Sequence, residues 1–311
     1  MTFLRSLTIL CIAALICYST AAAASPSKDG SDTVIQQVSD SSQANHPYFG
    51  IRIYPRASIP INSLSMLVNA MDALTAIALT DHRTRSPPMH FDAPGNPHVI
   101  IDVNPKRPAT TILNELATLC IYYGVADLAG RRQYTEAVFD CLWDNVNVAE
   151  VTISNRRRLA TFTNTTAATT GSLNGLGDEF QPQFFYFEKA QNMDLATVFI
   201  TAMNSIRSFS PRGHTEVLTG YIYTDPGPRW DASMVFPDTS RPLRRQPPYL
   251  EYRYVIYSMR LALIYMFECG RIAELGITFR IDGVFLGTAL LIKGKPDRET
   301  GGTLDKVTTT A

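Results

Sequence analysis

The chain contains one stretch twice, and this repeat limits the folds that the chain can adopt. Residues 134–153 align without a gap on residues 272–291. The aligned positions include Glu136 with Glu274, Asp144-Asn145-Val146 with Asp282-Gly283-Val284, and Val148-Ala149 with Leu286-Gly287. Self-similarity of this kind indicates that a structural unit is used more than once. The sequence therefore predicts a protein built of two related halves.

Each copy of the stretch has the pattern of a β-hairpin. Asp-Asn and Asp-Gly tolerate the positive φ angles of a tight two-residue turn, and both dipeptides sit between apolar runs. Alternate residues before each turn are apolar, as in a strand with one buried face. The residues predicted to be buried are Phe139, Cys141 and Trp143 in the first copy and Ile277, Phe279 and Ile281 in the second.

The elements before each hairpin follow one order. In the first half, the patterns predict a strand at 48–54, a helix at 64–77 capped by Asn62 or Ser63, strands on both sides of a turn at 92–97, and a helix at 112–131. In the second half, they predict a strand at 184–188, a helix at 195–206, strands at 218–224 and 234–236, and a helix at 249–269. Each half therefore reads β-α-β-β-α-β, with an extra strand that completes the hairpin.

This order of elements predicts the fold class. The order βαββαβ is that of the ferredoxin-like fold, in which one sheet carries helices on one face. We therefore predict an α+β protein of two tandem, internally duplicated ferredoxin-like halves. The extra strand is expected to extend or cover a sheet edge that would otherwise be open.

The boundaries of the two halves follow from composition. Arg5 precedes a short apolar run and then small residues, which together predict a secretory signal peptide over residues 1–24. The run is shorter than the ~20 residues of a typical membrane span. The predicted organisation is then a disordered leader (25–46), the first half (47–154), a linker (155–182), the second half (183–293) and a disordered tail (294–311).

Charge and hydropathy argue against two classes of partner. The formal net charge is +0, so no overall field favours binding to nucleic acid. After the signal peptide, no segment is apolar for long enough to span a bilayer. We therefore predict no nucleic-acid partner and no membrane span after signal removal.

Three of the five cysteines remain once the signal peptide is removed. Cys120 lies in a predicted helix just before the first hairpin, and Cys141 lies on the core face of that hairpin. A disulfide between them can form in an oxidising compartment. The alternative is that both are plain core residues, because Phe279 stands at the position equivalent to Cys141. Cys269 would be left unpaired in either case.

Few residues are candidates for chemistry. His90, Asp92 and His98 flank a predicted turn and could ligate a divalent metal, although exposed loop histidines are the favoured interpretation. Motifs for a nucleophile, a phosphate loop or a cofactor are absent from the sequence, so we predict no catalytic residue and no cofactor. Glu136 and Glu274 stand at matched positions, which favours a structural role such as capping of the backbone.

Two features of the linker predict modification. Arg156, Arg157 and Arg158 form a basic cluster that is a candidate for cleavage by a processing protease, since exposed linkers are where chains are cut. Asn164-Thr165-Thr166 is a sequon, and it predicts a glycan on Asn164.

The two hairpin motifs carry a resemblance to known proteins. The motifs are Arg131-Arg132-x-Tyr134-x-Glu136-Ala137-Val138-Phe139 followed by Trp143-Asp144, and Arg271-Ile272-Ala273-Glu274-Leu275 followed by Ile281-Asp282-Gly283-Val284. Together with the signal peptide, they resemble secreted, uncharacterised proteins of filamentous ascomycete fungi. That family has no assigned activity. Fungal toxins and effectors of the killer-toxin KP-six type are similar in their α/β sandwiches and basic-site processing, but they are rich in cysteine.

These observations favour one function over two alternatives. The leading expectation is a secreted, non-enzymatic binding or effector-like protein that acts outside the cell on an extracellular protein or glycan. The first alternative is a secreted hydrolase with its site between the halves. The second is a precursor that is cleaved at Arg156–Arg158 into separate chains.

Overall fold

The computed structural model describes residues 47–92, 98–155, 180–219, 222–236 and 247–295. The predicted signal peptide, leader, Arg156–Arg158 cluster, Asn164 sequon and most of the tail lie outside these residues.

Each half contains two helices and a run of strands. The first half consists of β1 (Phe49–Pro60), α1 (Ser63–Ala78), β2 (Arg85–Ser86), β3 (Met89–Phe91), β4 (Val99–Pro105), β5 (Ile112–Leu113), α2 (Asn114–Gly130), β6 (Thr135–Trp143) and β7 (Val146–Asn155). The second half consists of β8 (Phe180–Tyr186), α3 (Leu195–Phe209), β9 (Ile222–Thr224), β10 (Ala232–Phe236), α4 (Tyr252–Glu268), β11 (Leu275–Ile281) and β12 (Val284–Lys293).

Local signals at the ends of the elements recur between the halves. Asn62 caps α1 by accepting a hydrogen bond from the Ser65 N–H at 3.0 Å, and Asp194 caps α3 by accepting one from the Thr197 N–H at 3.2 Å. Both hairpin turns use consecutive residues of positive φ, as expected for a tight two-residue turn. These residues are Asp144 (51°), Asn145 (63°), Asp282 (50°) and Gly283 (75°). The two predicted hairpins are therefore confirmed.

Corresponding strands occupy the same places in two five-stranded sheets. The first sheet has the order β1-β6-β7-β4-β3, the second has the order β8-β11-β12-β10-β9, and all pairings are antiparallel. The α+β class is confirmed, but the ferredoxin-like arrangement is not. The expectation that the extra strand lies at a sheet edge is wrong. β7 and β12 are central, because each bonds to its hairpin partner on one side and to β4 or β10 on the other.

The helices lie between the two sheets. Helices α1 and α2 pack on the first sheet, and α3 and α4 pack on the second. The helices also pack across the halves, with α1 against α3 and α4, and α2 against α3. One continuous apolar cluster therefore includes residues of all four helices and both sheets. Helix α2 is buried around most of its circumference, as expected for a helix covered on both sides.

Two polar contacts join the helices of different halves. Asp72 on α1 accepts a hydrogen bond of 2.5 Å from the Arg260 guanidinium on α4, and both side chains are mostly buried. Arg207 on α3 lies over the ring of Tyr122 on α2, with 5.1 Å between the guanidinium carbon and the ring centroid. Counted from the helix caps and the hairpins, Tyr122 matches Arg260. Asp72 matches Asn204, which accepts hydrogen bonds from Arg207, so the two contacts join corresponding pairs of helices through different residues.

A disulfide joins Cys120 on α2 to Cys141 on β6, with 5.8 Å between their Cα atoms, and both residues are fully buried. In the second half, Ser258 and Phe279 stand at the two matching positions. The bridge therefore fastens a helix to its sheet in the first half only. Cys269 is an exposed free thiol.

Trp143 does not lie on the core face that the alternation predicts. The register between β6 and β7 shifts between Cys141 and Leu142. The same shift occurs in the second hairpin between Phe279 and Arg280, where the equivalent residue Ile281 is buried, so the shift alone does not account for the exposure. Trp143 is the last residue of β6 and is 38% exposed, and its ring lies 5.9 Å from that of Tyr48.

Replacing Cys120 and Cys141 together by alanine is expected to lower the free energy of unfolding by about 3 kcal/mol, because the bridge closes a loop in the unfolded chain. Urea unfolding measures the loss, and a reduction-dependent mass shift shows the bridge directly. Cys269→Ser is the matched control and should change the free energy by less than ~0.5 kcal/mol. A double variant as stable as the wild type would contradict the prediction.

The Asp72–Arg260 pair is expected to couple the two halves energetically. A double-mutant cycle with Asp72→Ala and Arg260→Ala should give a coupling energy of about 1–3 kcal/mol, because both groups are largely removed from water. The pair Lys106–Glu150 is more exposed and serves as the control, with an expected coupling of ~0.2–1 kcal/mol. Equal coupling energies in the two cycles would contradict the prediction that burial strengthens the Asp72–Arg260 pair.

Candidate functional site

A cleft of about 310 Å³ opens in the second half, at the end of α3, beside edge strand β9 and the start of α4. Its apolar lining residues are Phe209 and Ile222. Its polar lining groups include Arg207, Ser208, Arg212, Tyr223, Thr224 and Tyr252. All of these residues belong to the second half, so the cleft does not lie between the halves.

Aromatic packing fixes Phe209 in the cleft lining. Phe209 ends α3, and its ring lies 5.1 Å from that of Phe236 and 5.3 Å from that of Tyr252. Phe236 belongs to β10 and is fully buried. The end of α3, the sheet and the start of α4 are therefore held together at one point, which keeps the cleft walls in place.

Arg207 is held in position by its neighbours. Its Nε and one terminal nitrogen donate to the Asn204 Oδ1 at 3.1 and 2.8 Å, and another terminal nitrogen donates to the Tyr123 hydroxyl at 3.4 Å. The guanidinium also lies over the rings of Tyr122 and Tyr123. A guanidinium is planar and permanently charged, so these contacts fix a positive charge at the cleft wall.

Tyr252 and Arg212 offer hydrogen-bond donors to the cleft. Tyr252 is only 6% exposed, yet within the described part of the chain no residue bonds to its hydroxyl or to the Arg212 guanidinium. Burial raises the pKa of Tyr252, the positive charge of Arg212 opposes this rise, and Glu216 adds to it. Tyr252 is thus a neutral donor at physiological pH.

Asp225 lies at the rim of the cleft, and its carboxylate accepts hydrogen bonds from three donors. The Gly227 N–H donates to its Oδ1 at 2.6 Å, while the Tyr223 hydroxyl and the Lys295 ammonium each lie 3.0 Å from its Oδ2. Burial by itself raises the pKa of Asp225, but these three donors outweigh burial and hold the pKa below its usual range. This carboxylate therefore remains ionised and orders the rim.

The matching residues in the first half are hydrogen-bonded to each other. By the helix-cap and hairpin alignments, Thr80 stands where the second half has Arg212, and Asn114 stands where it has Tyr252. The Asn114 amide donates to the Thr80 hydroxyl at 2.8 Å and to the Asp81 carbonyl at 3.0 Å. Hydrogen bonds inside the protein therefore use these groups in the first half, whereas within the described residues of the second half none joins the Arg212 guanidinium to the Tyr252 hydroxyl.

The predicted metal candidates are not brought together. His90 Nδ1 lies 2.6 Å from the Asp102 Oδ1, across the β3–β4 pairing. In residues 47–92, 98–155 and the other described ranges, no group of three His, Cys, Asp or Glu side chains could hold a metal ion. His90, Asp92 and His98 therefore do not form the metal site considered from the sequence.

The two duplicated glutamates bind backbone groups, as their matched positions predict. Glu136 is buried and accepts from the Asn155 N–H at 3.0 Å. Glu274 accepts from the Lys293 N–H at 2.9 Å through Oε1 and from the Gln191 N–H at 2.9 Å through Oε2. Each carboxylate thus ties the start of a hairpin to the last residue of its second strand, and the structural interpretation is confirmed.

Sequence reasoning did not identify the cleft. Tyr252 lies in the helix predicted at 249–269, where its spacing with Val255, Ile256 and Met259 indicates an ordinary buried stripe, and all four are buried. Arg207 and Arg212 form no motif, because the cleft residues come from separate segments. A comparison of the aligned halves would have shown arginine in place of Thr75 and of Thr80.

Comparisons of the chain with protein-family models, with curated proteins and with solved structures gave no match. None of the helices in the described ranges has the length and apolar character needed to cross a membrane.

Glu136→Ala is expected to lower the free energy of unfolding by about 1–3 kcal/mol, because it leaves the Asn155 N–H without its acceptor. Glu136→Gln retains a carbonyl acceptor and should lose less. Chemical unfolding measures both, with Glu268→Ala at the exposed end of α4 as the control, expected within ~0.5 kcal/mol of wild type. Wild-type stability of Glu136→Ala would show that the carboxylate has no structural role.

Proposed function

We propose that this chain is a secreted, non-enzymatic binding protein of the effector-like kind, and that the cleft of its second half binds a glycan at a cell-wall surface. The observation that carries this proposal is the contrast between the halves. In the first half, Thr80 and Asn114 bond to each other. In the second half, Arg212 and Tyr252 stand at those positions beside a cleft.

The fixed polar groups around the cleft support binding rather than catalysis. Arg207 is anchored by Asn204 and two tyrosine rings, and Asp225 is ionised and satisfied by three donors. An acid or base in catalysis must exchange a proton with the substrate, and its pKa is tuned for that exchange. Asp225 instead has a lowered pKa, so its carboxylate stays ionised and serves as a permanent hydrogen-bond acceptor. The lining of the cleft is mainly polar, which suits a polar ligand such as a sugar.

Secretion is supported by two independent features. The pattern of residues 1–24 is that of a signal peptide, and a disulfide joins Cys120 to Cys141. Disulfides persist in oxidising environments such as the outside of the cell. In that setting, the sequon at Asn164 carries a glycan in our proposal.

We propose further that the halves arose by duplication of one unit. The shared strand order, the matched helix caps and the equivalent glutamate contacts support this origin. After duplication, the first half kept a disulfide and a hydrogen-bonded helix end, and the second half acquired the cleft.

Retention on insoluble cell-wall polysaccharide tests the binding function. Wild-type protein is expected to sediment with particles of cross-linked pectin. The double variant Arg212→Ala/Tyr252→Phe should sediment at least about fivefold less, because the two hydrogen-bond donors of the cleft are gone. Arg56→Ala, which removes an exposed arginine from β1, is the control and should sediment like wild type. The proposal is wrong if the wild type stays in solution with the particles, or if the double variant sediments equally.

A further inference from the structure

We infer that the cleft selects an acidic saccharide, with the ring carboxylate of a uronic acid bound between Arg212 and the Tyr252 hydroxyl. This inference rests on the proposed function and names the chemical class of its ligand. It is argued from the charge of the cleft, its hydrogen-bonding groups and its size.

The charge of the cleft favours an anion. Arg207 and Arg212 both line it, and the carboxylate of Asp225 is already paired with Lys295. The cleft therefore keeps a positive charge that a bound anion can neutralise. Guanidinium groups match the planar geometry of a carboxylate, and a charge-assisted hydrogen bond is about twice as strong as a neutral one.

The hydrogen-bonding groups favour a carboxylate over a free phosphate. Phosphate commonly binds the unpaired N–H groups of a helix N-terminus. At the start of α4, however, the N–H groups of Tyr252 and Arg253 donate to the carbonyls of Glu216 and His214, and that of Tyr254 donates to Glu251. The negative end of the α3 dipole also lies at the cleft, which disfavours a doubly charged ligand.

The remaining groups suit a sugar ring. Ser208 and Thr224 line the cleft. The Thr224 hydroxyl is used in a buried pair with Ser205, whereas the Ser208 hydroxyl donates to the Asn204 carbonyl. The Ser208 oxygen can still accept a hydrogen bond from a ring hydroxyl. The apolar side chain of Ile222 can contact the C–H face of the ring.

The size of the cleft limits the ligand to one ring at a time. A volume of about 310 Å³ is at the lower end of the range for ligand sites, roughly 300–1,000 Å³. The cleft also opens to solvent. One sugar residue of a longer chain can therefore enter it while its neighbours stay outside.

The test is a titration of the full chain with a galacturonic acid trimer and with its fully methyl-esterified counterpart, which has the same rings without the charge. Calorimetry is expected to show at least about tenfold tighter binding of the acidic trimer. Added salt should weaken binding of the acidic trimer and leave binding of the ester unchanged, because the difference in affinity between the two trimers is electrostatic.

Variants assign the interaction to the cleft. Arg212→Ala should weaken binding of the acidic trimer about tenfold or more, and Tyr252→Phe, which removes one hydroxyl, should weaken it about three- to tenfold. Arg56→Ala should bind like wild type. An unchanged denaturant midpoint for Tyr252→Phe shows that the loss is not a loss of folding, and unchanged affinity of that variant would overturn the assignment.

Other outcomes separate this inference from the proposed function. Equal binding of the acidic trimer and its ester would overturn the selection of a carboxylate and leave the binding function standing. Competition by inorganic phosphate at the same concentration as the trimer would identify a free oxyanion site and overturn the saccharide. Retention on cell-wall particles without binding of either trimer would show that the ligand class is wrong. If the protein neither sediments with the particles nor binds either trimer, both the proposed function and this inference are rejected.

Discussion

The structure depends on burying the apolar outer sides of two helix pairs, which neither half can cover alone. Each five-stranded sheet turns one apolar face inward, and each is covered by two helices. Those helices are themselves apolar on more than the side that meets their own sheet, as the burial around α2 shows. Stacking the two helix pairs against each other removes the second apolar side from water. The core is therefore shared, and the stability of each half depends on the other.

The shared helix layer also explains where the halves differ. Positions inside the layer must remain apolar or paired, and Asp72 with Arg260 meets that requirement. Positions near the helix ends differ between the halves. At the end of α1, Thr80 and Asn114 share a hydrogen bond, and at the end of α3, Arg212 and the buried Tyr252 line a cleft. The same scaffold thus has a hydrogen-bonded pair at this place in the first half and a cleft in the second half.

Much of the scaffold could be predicted because its signals are local. Asp144-Asn145 and Asp282-Gly283 define tight turns through their tolerance of positive φ, and Asn62 caps a helix through its own side chain. The structural role of Glu136 and Glu274 could be predicted because the same residue stands at the same position at the start of both hairpins. The prediction that Trp143 is buried was wrong, because alternation assigns a residue to a face of the strand but does not show whether other segments cover that face at the strand end.

The sequence by itself determined the number of halves, the order of their elements, the hairpins and the pairing partners available to cysteine. These depend on short-range periodicity and turn chemistry, which act within a few residues. Only the tertiary structure decided that β7 and β12 lie in the middle of their sheets, that the helices form one layer, and that Arg207, Arg212 and Tyr252 meet at one cleft. Strand order and clefts arise from contacts between segments far apart in the chain, and no local pattern records which segments will meet.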